Sequence, residues 1–344
     1  MTYKICLLPG DGIGPEVIAA AREVLTALPL QWDFTECGIG YGEYQRSGSP
    51  LPDSTLQEIR NADAALFGAV TTPPNILNYF SPVVRMRQSL DLYANLRPTR
   101  SIPHPSSRAG IDLLIVRENT EGLYSGIERL EDDGNRAITE RVITRKGSER
   151  IVRKAFGIAR QTGRKTVHVV HKANVLRQTC GLFRMVALEV AKEYSDITLQ
   201  EMLVDTCAME LVRAPEQFEI IVTTNLFGDI LSDEAAQQIG GLGMAPGANV
   251  GDNFGLFEPI HGSAPNRAGK HTANPISMIL SAKMMFEWLG EKYNDKKCLQ
   301  AGAAIENGVV YALTNRQSVP DCGGTKTTVG MAEAIAVALT VKTG

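Results

Sequence analysis

Two aspartates four residues apart, Asp229 and Asp233, carry the strongest chemical signal in this chain. They lie in Asn225-Leu226-Phe227-Gly228-Asp229-Ile230-Leu231-Ser232-Asp233-Glu234, directly after an apolar, β-branched run at 218–224 that reads as a buried strand. The spacing predicts a helix over 229–238 with both carboxylates on one face. Carboxylates so placed repel each other unless a cation sits between them. Mg2+ or Mn2+ fits, because a hard divalent ion takes carboxylate oxygens and keeps positions open for water or substrate. The plainer reading has Asp229 capping the helix at its positive end.

Other residues supply complementary chemistry. Arg87, Arg97 and Arg117 fall near or at the ends of predicted elements, and strand ends are where ligands bind in α/β folds. Guanidinium forks hold carboxylates bidentately, so three converging arginines imply a di- or tricarboxylic substrate; singly, each reads as a surface ion pair. Lys172 ends a predicted buried strand at 166–170. A lysine buried there would titrate nearer neutrality and suit a general base. Tyr124 offers a hydroxyl proton, although a core tyrosine and a surface lysine are the plain alternatives. The segment 258–270, rich in Gly, Pro and polar residues and continuing to Ala273-Asn274-Pro275, can wrap a nucleotide with backbone amides or merely connect two elements. In Gly10-Asp11-Gly12-Ile13-Gly14 the third glycine comes two residues after the second, so the G-x-G-x-x-G dinucleotide fingerprint is absent. A tight strand-to-helix turn is expected there instead.

The elements that must position these groups alternate in the α/β manner. Strands are predicted at 4–8, 64–70, 113–116, 166–170 and 220–224, with helices at 15–28 and 148–161. Residues 125–143 read as two alternating strands joined by an acidic turn, a projecting hairpin. The turn-rich stretch 245–249 is placed at a crossing between lobes. With 344 residues, 44% of them hydrophobic, the chain can bury a large core in two lobes. A net charge of −3 argues against a nucleic-acid or membrane partner. Six scattered cysteines without a C-x-x-C suggest free thiols in a reducing compartment. No 18-residue apolar run is present, and residues 1–8 read as a strand, not a signal peptide. A soluble, cytoplasmic protein is the expectation.

Taken together the motifs resemble those of the β-decarboxylating dehydrogenases, the isocitrate, homoisocitrate and 3-isopropylmalate dehydrogenase family. The resemblance is carried in order by residues 10–17, DLYANLRP at 91–98, RENTEGLY at 117–124, HKANVL at 171–176, NLFGDILSD at 225–233 and the segment 258–274. It covers essentially the whole chain. It implies a two-lobed α/β fold with the active site in the cleft between lobes and no standard Rossmann site. Residues 1–98 with 248–344 would form the cofactor-binding lobe. Residues 99–247 would form the dimerisation and metal/substrate lobe, with the hairpin at about 125–143 as an intersubunit arm.

The resemblance also implies residue roles. Catalysis would fall to Tyr124, Lys172 and Asp205, with Lys172 and Asp205 reaching the site from the partner of a homodimer. Asp205, Asp229 and Asp233 would hold Mg2+ or Mn2+. The substrate would be bound by Ser81, Val83, Val84, Arg87, Arg97, Arg117 and Asn174. NAD or NADP would be met by Glu258, His261, Gly262, Ser263, Ala264, Asn266, Arg267 and Asn274. In the implied reaction Lys172 removes the hydroxyl proton of a 3-substituted malate, hydride passes to the nicotinamide, CO2 leaves, and Tyr124 protonates the carbon left behind.

Two positions depart from the family pattern. Relatives that use NAD carry Asp-Ile where this chain has Asn266-Arg267; losing an anion and gaining a cation favours a 2′-phosphate. Isocitrate enzymes have an Asn where Val83 stands, and homoisocitrate enzymes can have an arginine at Val84, so the Val83-Val84 pair resembles an apolar pocket for an alkyl group. Arg85 and Tyr79 could still reach a charged substituent. The substrate thus stays open, as do a tartrate- or malate-type activity and a non-catalytic regulatory subunit.

Overall fold

A computed structural model describes residues 2–73, 75–76 and 79–340. Strand β1 (Thr2–Gly10) leads into α1 (Gly14–Thr26), then β2 (Gln31–Glu36), α2 (Tyr41–Ser47), α3 (Asp53–Asn61) and β3 (Ala64–Ala69). Helix α4 (Pro82–Ser89) precedes the antiparallel pair β4 (Ala94–Arg100) and β5 (Asp112–Glu118). The hairpin β6 (Glu128–Glu131) and β7 (Arg136–Thr139) follows. Next come α5 (Arg145–Thr162), β8 (Thr166–His171), α6 (Thr179–Ala191), β9 (Thr198–Leu203), α7 (Val204–Arg213) and β10 (Ile220–Thr223). The chain then forms α8 (Asn225–Gln237), β11 (Pro246–Val250), β12 (Gly255–Pro259), α9 (Ile276–Tyr293), α10 (Lys296–Thr314) and α11 (Thr328–Thr340).

Ten strands make one sheet in the order β2-β1-β3-β12-β11-β4-β5-β10-β8-β9. Its two ends are parallel, and the centre, β12-β11-β4-β5, is antiparallel. Strands β3, β10, β11 and β12 are buried along their whole length, which is why they read as apolar or small-residue runs without alternation. One continuous core runs from Tyr3 and Leu7 through Ile115, Phe156 and Ile221 to Met285 and Ile335. A smaller cluster, with Cys6, Leu8, Ile59, Phe67 and Met86, backs β1 and β3. The expected lobe boundaries fall inside β4 and β11.

Two expectations change. Helix α8 begins at Asn225, four residues before the predicted start, because Thr224 is extended (φ −72°, ψ 164°) and ends the preceding strand. Asp229 therefore stands in the second turn and is not a cap. Gly228 hid this start, since glycine reads as a helix breaker. Its role is spatial: a Cβ there would stand 2.6 Å from the Arg117 side chain. The stretch 245–249 is mostly strand β11, in which Ala248, Asn249 and Val250 pair with Leu96, Asn95 and Ala94. Its glycine admits the Glu258 backbone, where a Cβ would lie 3.1 Å from the carbonyl oxygen. Among the described residues no helix is long and apolar enough to cross a membrane.

Candidate active site

Alternation along a strand puts Asn95 and Arg97 on one face of β4, and register places Asn95 opposite Arg117 on β5. Arg97 lies in the middle of β4 and Arg117 one residue from the end of β5, and both are buried. They reach toward α8, which packs across β4 and β5. Arg117 donates to Asn225 Oδ1 from Nε (3.0 Å) and Nη2 (2.7 Å), and pairs with Asp229 through Nη1. Arg97 Nη1 donates to Ser232 Oγ at 2.7 Å and lies 3.3 Å from Asp229 and 3.4 Å from Asp233. Tyr124 sits in a short 3-10 turn at Leu123–Ser125, after a turn in which the Glu118 carboxylate accepts the backbone N–H of Thr120 and Glu121. Its hydroxyl donates to Asp229 Oδ2 at 2.5 Å, and its ring faces the Arg117 guanidinium at 5.2 Å. Arg97, Arg117, Tyr124, Asp229 and Asp233 thus come together. Arg87, in the last turn of α4, joins from the side through Glu258 Oε1 at 2.8 Å.

The electrostatics of this cluster follow from three arginines set against the carboxylates of Asp229, Asp233 and Glu258. Burial lowers Arg117 to about 9, with the neighbouring Arg97 and Arg87 charges adding to the effect, so it stays cationic at neutral pH. Burial pushes the Asp229 carboxyl up, but Arg117, Arg97 and the Tyr124 hydrogen bond outweigh it, and the net shift is downward. Asp233 is raised by burial, with the Asp229 charge adding and Arg97 opposing. Tyr124 is raised by burial and by its bond to Asp229, which keeps its proton in place.

The two α8 carboxylates, both oxygen donors on one helical face and partly open to solvent, suit a hard cation. Asp205 is elsewhere. It opens α7, and its Oδ1 lies 2.6 Å from Lys172 Nζ. Among the described residues no three acidic, histidine or cysteine side chains converge as metal ligands. Lys172 lies one residue beyond β8, and its side chain is 24% exposed, so the burial expected of it is not found in the single chain; the turn that follows β8 leaves it open. Asn174, two residues on, is exposed in that same turn.

The glycine-rich turn after β1 serves the segment 258–274. Ile13 N donates to Ser263 O at 2.9 Å, and a Cβ on Gly12 would stand 1.9 Å from that oxygen. These glycines allow one backbone to lie on another, which explains why their spacing is not that of a pyrophosphate loop. The Ser263 hydroxyl meets Thr71 Oγ1 at 2.7 Å, and Ala264 takes a left-handed φ of 39°. Glu16 of α1 accepts Ala273 N at 3.1 Å and the Thr328 hydroxyl, pinning the far end of the segment. Asn274 is buried, its amide nitrogen against Met244 Sδ and Cys322 Sγ. His261 Nε2 is buried without a partner, and burial lowers its pKa. Gly262 and Asn266 leave the surface beside it open. A neutral imidazole with a free nitrogen in a glycine-permissive loop fits a nucleotide that supplies the missing hydrogen bond. Arg267, expected to be available to a 2′-phosphate, is paired with Asp321 at 3.0 Å.

At the substituent end, Ser81 takes the N-cap position of α4 but makes no side-chain capping bond. Val83 packs one side against the smaller apolar cluster around Cys6 and Leu8 and stays partly exposed. Val84 is partly exposed, and Arg85 is exposed with its guanidinium 6.0 Å from the Phe80 ring. Tyr79 donates its hydroxyl to Thr71 O at 3.1 Å. Leu77 and Asn78, just before, lie outside the described residues.

Four polar residues at this site carry no distinct sequence signal: Asn225, Ser232, Asn95 and Asn249. Asn225 and Ser232 belong to the α8 motif, and Asn95 stands two residues before Arg97, a spacing that marks a shared strand face. Asn249 lay in the stretch read as a turn.

Buried arginines set against two helix-borne carboxylates and a tyrosine, on a mixed ten-stranded sheet, form a cluster whose chemistry suits carboxylate groups. The family model described as isocitrate/isopropylmalate dehydrogenase matches residues 4–336, and the chain belongs to that family of decarboxylating dehydrogenases. It is 50% identical over 340 residues to the isocitrate/homoisocitrate dehydrogenase of Thermus thermophilus, covering 98% of this chain and 99% of that one. It is 47% identical over 334 residues to the homoisocitrate dehydrogenase of Methanocaldococcus jannaschii, covering 93% of each. The crystal structure of isocitrate dehydrogenase from Methylococcus capsulatus superposes with a TM-score of 0.93 at 44% identity, covering 98% of this chain and 100% of that one.

Proposed function

We propose that this enzyme oxidatively decarboxylates a 3-substituted malate, passing hydride to NAD or NADP, as a homodimer dependent on Mg2+ or Mn2+. The observation that carries the reading is the convergence of Arg97, Arg117 and Tyr124 on Asp229 and Asp233. Arg97 and Arg117, with Arg87 at the edge, hold the substrate carboxylates by charge-assisted bonds. Asp229 and Asp233, with the partner's Asp205, are the residues that would hold the metal, which supplies a Lewis acid for the substrate oxygens while the nicotinamide supplies the hydride acceptor. The partner's Lys172 takes the hydroxyl proton as the C2 hydrogen leaves as hydride. Loss of CO2 from the neighbouring carbon leaves it needing a proton, and the Tyr124 hydroxyl provides one. The products are a 2-oxo acid, CO2 and the reduced cofactor.

Residues 1–98 with 248–344 would carry the cofactor and 99–247 the dimer contacts. Exposed apolar side chains on the middle segment, Met209 and Val212 of α7 and Ile230 of α8, support a surface for a second copy. For the substituent on C3, the free Ser81 hydroxyl and the exposed Arg85 favour a chain ending in a carboxylate over a branched alkyl group. That choice agrees with the names of the two relatives above. The test is a reduced-cofactor absorbance screen of isocitrate, homoisocitrate, isopropylmalate, tartrate and malate, with NAD and NADP, with and without Mg2+ or Mn2+. No cofactor reduction with any 3-substituted malate would refute the proposal.

A further inference from the structure

Two buried amides link the opposite ends of the candidate site. Asn249 on β11 and Asn95 on β4 are cross-strand partners and both are 0% exposed. Asn95 Oδ1 accepts Arg97 Nε at 2.6 Å, and Asn95 Nδ2 donates to Asn249 Oδ1 at 2.7 Å. The same Asn249 oxygen accepts Asn119 Nδ2 at 2.9 Å. Asn249 Nδ2 donates to Glu258 Oε1 at 2.7 Å, and that oxygen also accepts Arg87 Nη2 at 2.8 Å. The row Arg97–Asn95–Asn249–Glu258–Arg87 therefore crosses the antiparallel centre of the sheet, with its two amides fully enclosed.

Its polarity is forced from the ends. An arginine only donates, so Asn95 must turn its oxygen to Arg97 and its nitrogen to Asn249. Asn249 must then present oxygen to Asn95 and nitrogen to Glu258, whose carboxylate only accepts. Flipping either amide would set donor against donor and acceptor against acceptor in a place where water cannot substitute. The row thus links Glu258, at the start of the segment 258–274, to Arg97 through amides of fixed orientation.

We infer that Asn249 is a positioning residue that couples cofactor binding to substrate binding, so that either ligand strengthens the other. This rests on the functional reading above. Coupling is a free energy shared by two sites and is measured by titrating one ligand at fixed amounts of the other.

The experiment uses the full chain and NADH or NADPH fluorescence, with and without isocitrate, homoisocitrate or isopropylmalate, whichever the unsubstituted enzyme turns over. In the unsubstituted enzyme the substrate should tighten the reduced cofactor by roughly 5- to 150-fold. Asn249→Asp keeps the acceptor for Asn95 and Asn119 but sets a second carboxylate against Glu258. It should bring the factor to within about twofold of unity while each ligand alone binds within about threefold of normal. Asn249→Ser is the second variant if Asn249→Asp does not fold, and it should lose coupling in the same way. An unchanged factor in either folded variant, even with a lowered melting temperature, would make Asn249 merely structural and overturn the inference. Failure of the unsubstituted chain to turn over any 3-substituted malate appears before any variant is made, and it overturns the functional reading together with the inference.

Discussion

Lys172 Nζ lies 2.6 Å from Asp205 Oδ1, and this pair forms no common ligand cluster with Asp229 and Asp233 of the same chain. If the pair completes the site of a second copy, each half of the dimer is inactive without the other. Lys172→Met and Asp233→Asn proteins should then be inactive alone yet complement when unfolded and refolded together. An equal mixture should regain roughly a quarter of normal activity, because half the dimers are mixed and each holds one intact site of two. No recovery in dimers shown to be mixed would place both residues outside the partner's site.

Metal dependence should centre on α8. Asp233→Asn should keep the fold, since the side chain is half-exposed, and should weaken Mn2+ binding at least tenfold or so. Electron paramagnetic resonance of free Mn2+ reads this directly. Equal binding by the variant and the parent would remove Asp233 from the ligand set.

Tyr124 is held protonated by burial and by Asp229, and an acid in that state is what the last step requires. Tyr124→Phe should slow protonation after CO2 loss by about 10²- to 10⁴-fold while leaving hydride transfer less affected. Pre-steady-state cofactor absorbance, set against solvent deuterium incorporation at the former carboxyl-bearing carbon, separates the two steps. Matching rates in both would show that another group is the acid.

Cofactor preference depends on a surface ion pair. Arg267 is bound to Asp321, with both side chains about half-exposed, so a 2′-phosphate must compete for it. Asp321→Asn should raise the NADP to NAD ratio of kcat/KM by about two- to fivefold, the scale of an exposed pair. A ratio that stays constant would mean that Arg267 does not face the ribose.

Acid sensitivity should be traceable to a histidine far from the chemistry. His168 on β8 is buried against Phe218, and burial lowers its pKa below the ordinary value near 6.5. The unfolded chain then binds the proton more readily, so the stability that neutral His168 contributes is present above about pH 6.5 and is lost as pH falls below it. The melting temperature should drop between about pH 7.5 and 5.5, and His168→Gln should reduce that drop. An identical pH slope in the variant would shift the effect to other groups.

Much of the site was readable because its chemistry requires recognisable side chains at fixed spacings. Asp229 and Asp233 announce a helix face, and Arg117 directly follows the strand expected at 113–116, whereas no strand was expected around Arg97, which lies in β4. What escaped detection depends on contacts between distant segments. The start of α8 was hidden by Gly228, whose purpose is visible only with Arg117 beside it. Strand β11 looked like a turn because Pro246, Gly247 and Asn249 are turn formers in isolation. Lys172 seemed buried because a strand precedes it, whereas one chain alone leaves it partly open.

The strand order also dictates what a growing chain can complete as it leaves the ribosome. Strands β4, β5, β8, β9 and β10 neighbour one another in the sheet in the order β4-β5-β10-β8-β9, and all are made before residue 224. By contrast, β3 waits for β12 to cover its edge, which is not available until residue 255 has emerged. Helix α1, with Val17, Ala21 and Val24 turned inward, waits longer still for α11, which begins at Thr328. Throughout that interval the nascent protein carries an open strand edge and an uncovered apolar helix. These are the features that draw holding chaperones and promote aggregation, so the early part of this enzyme is the part most dependent on them during synthesis.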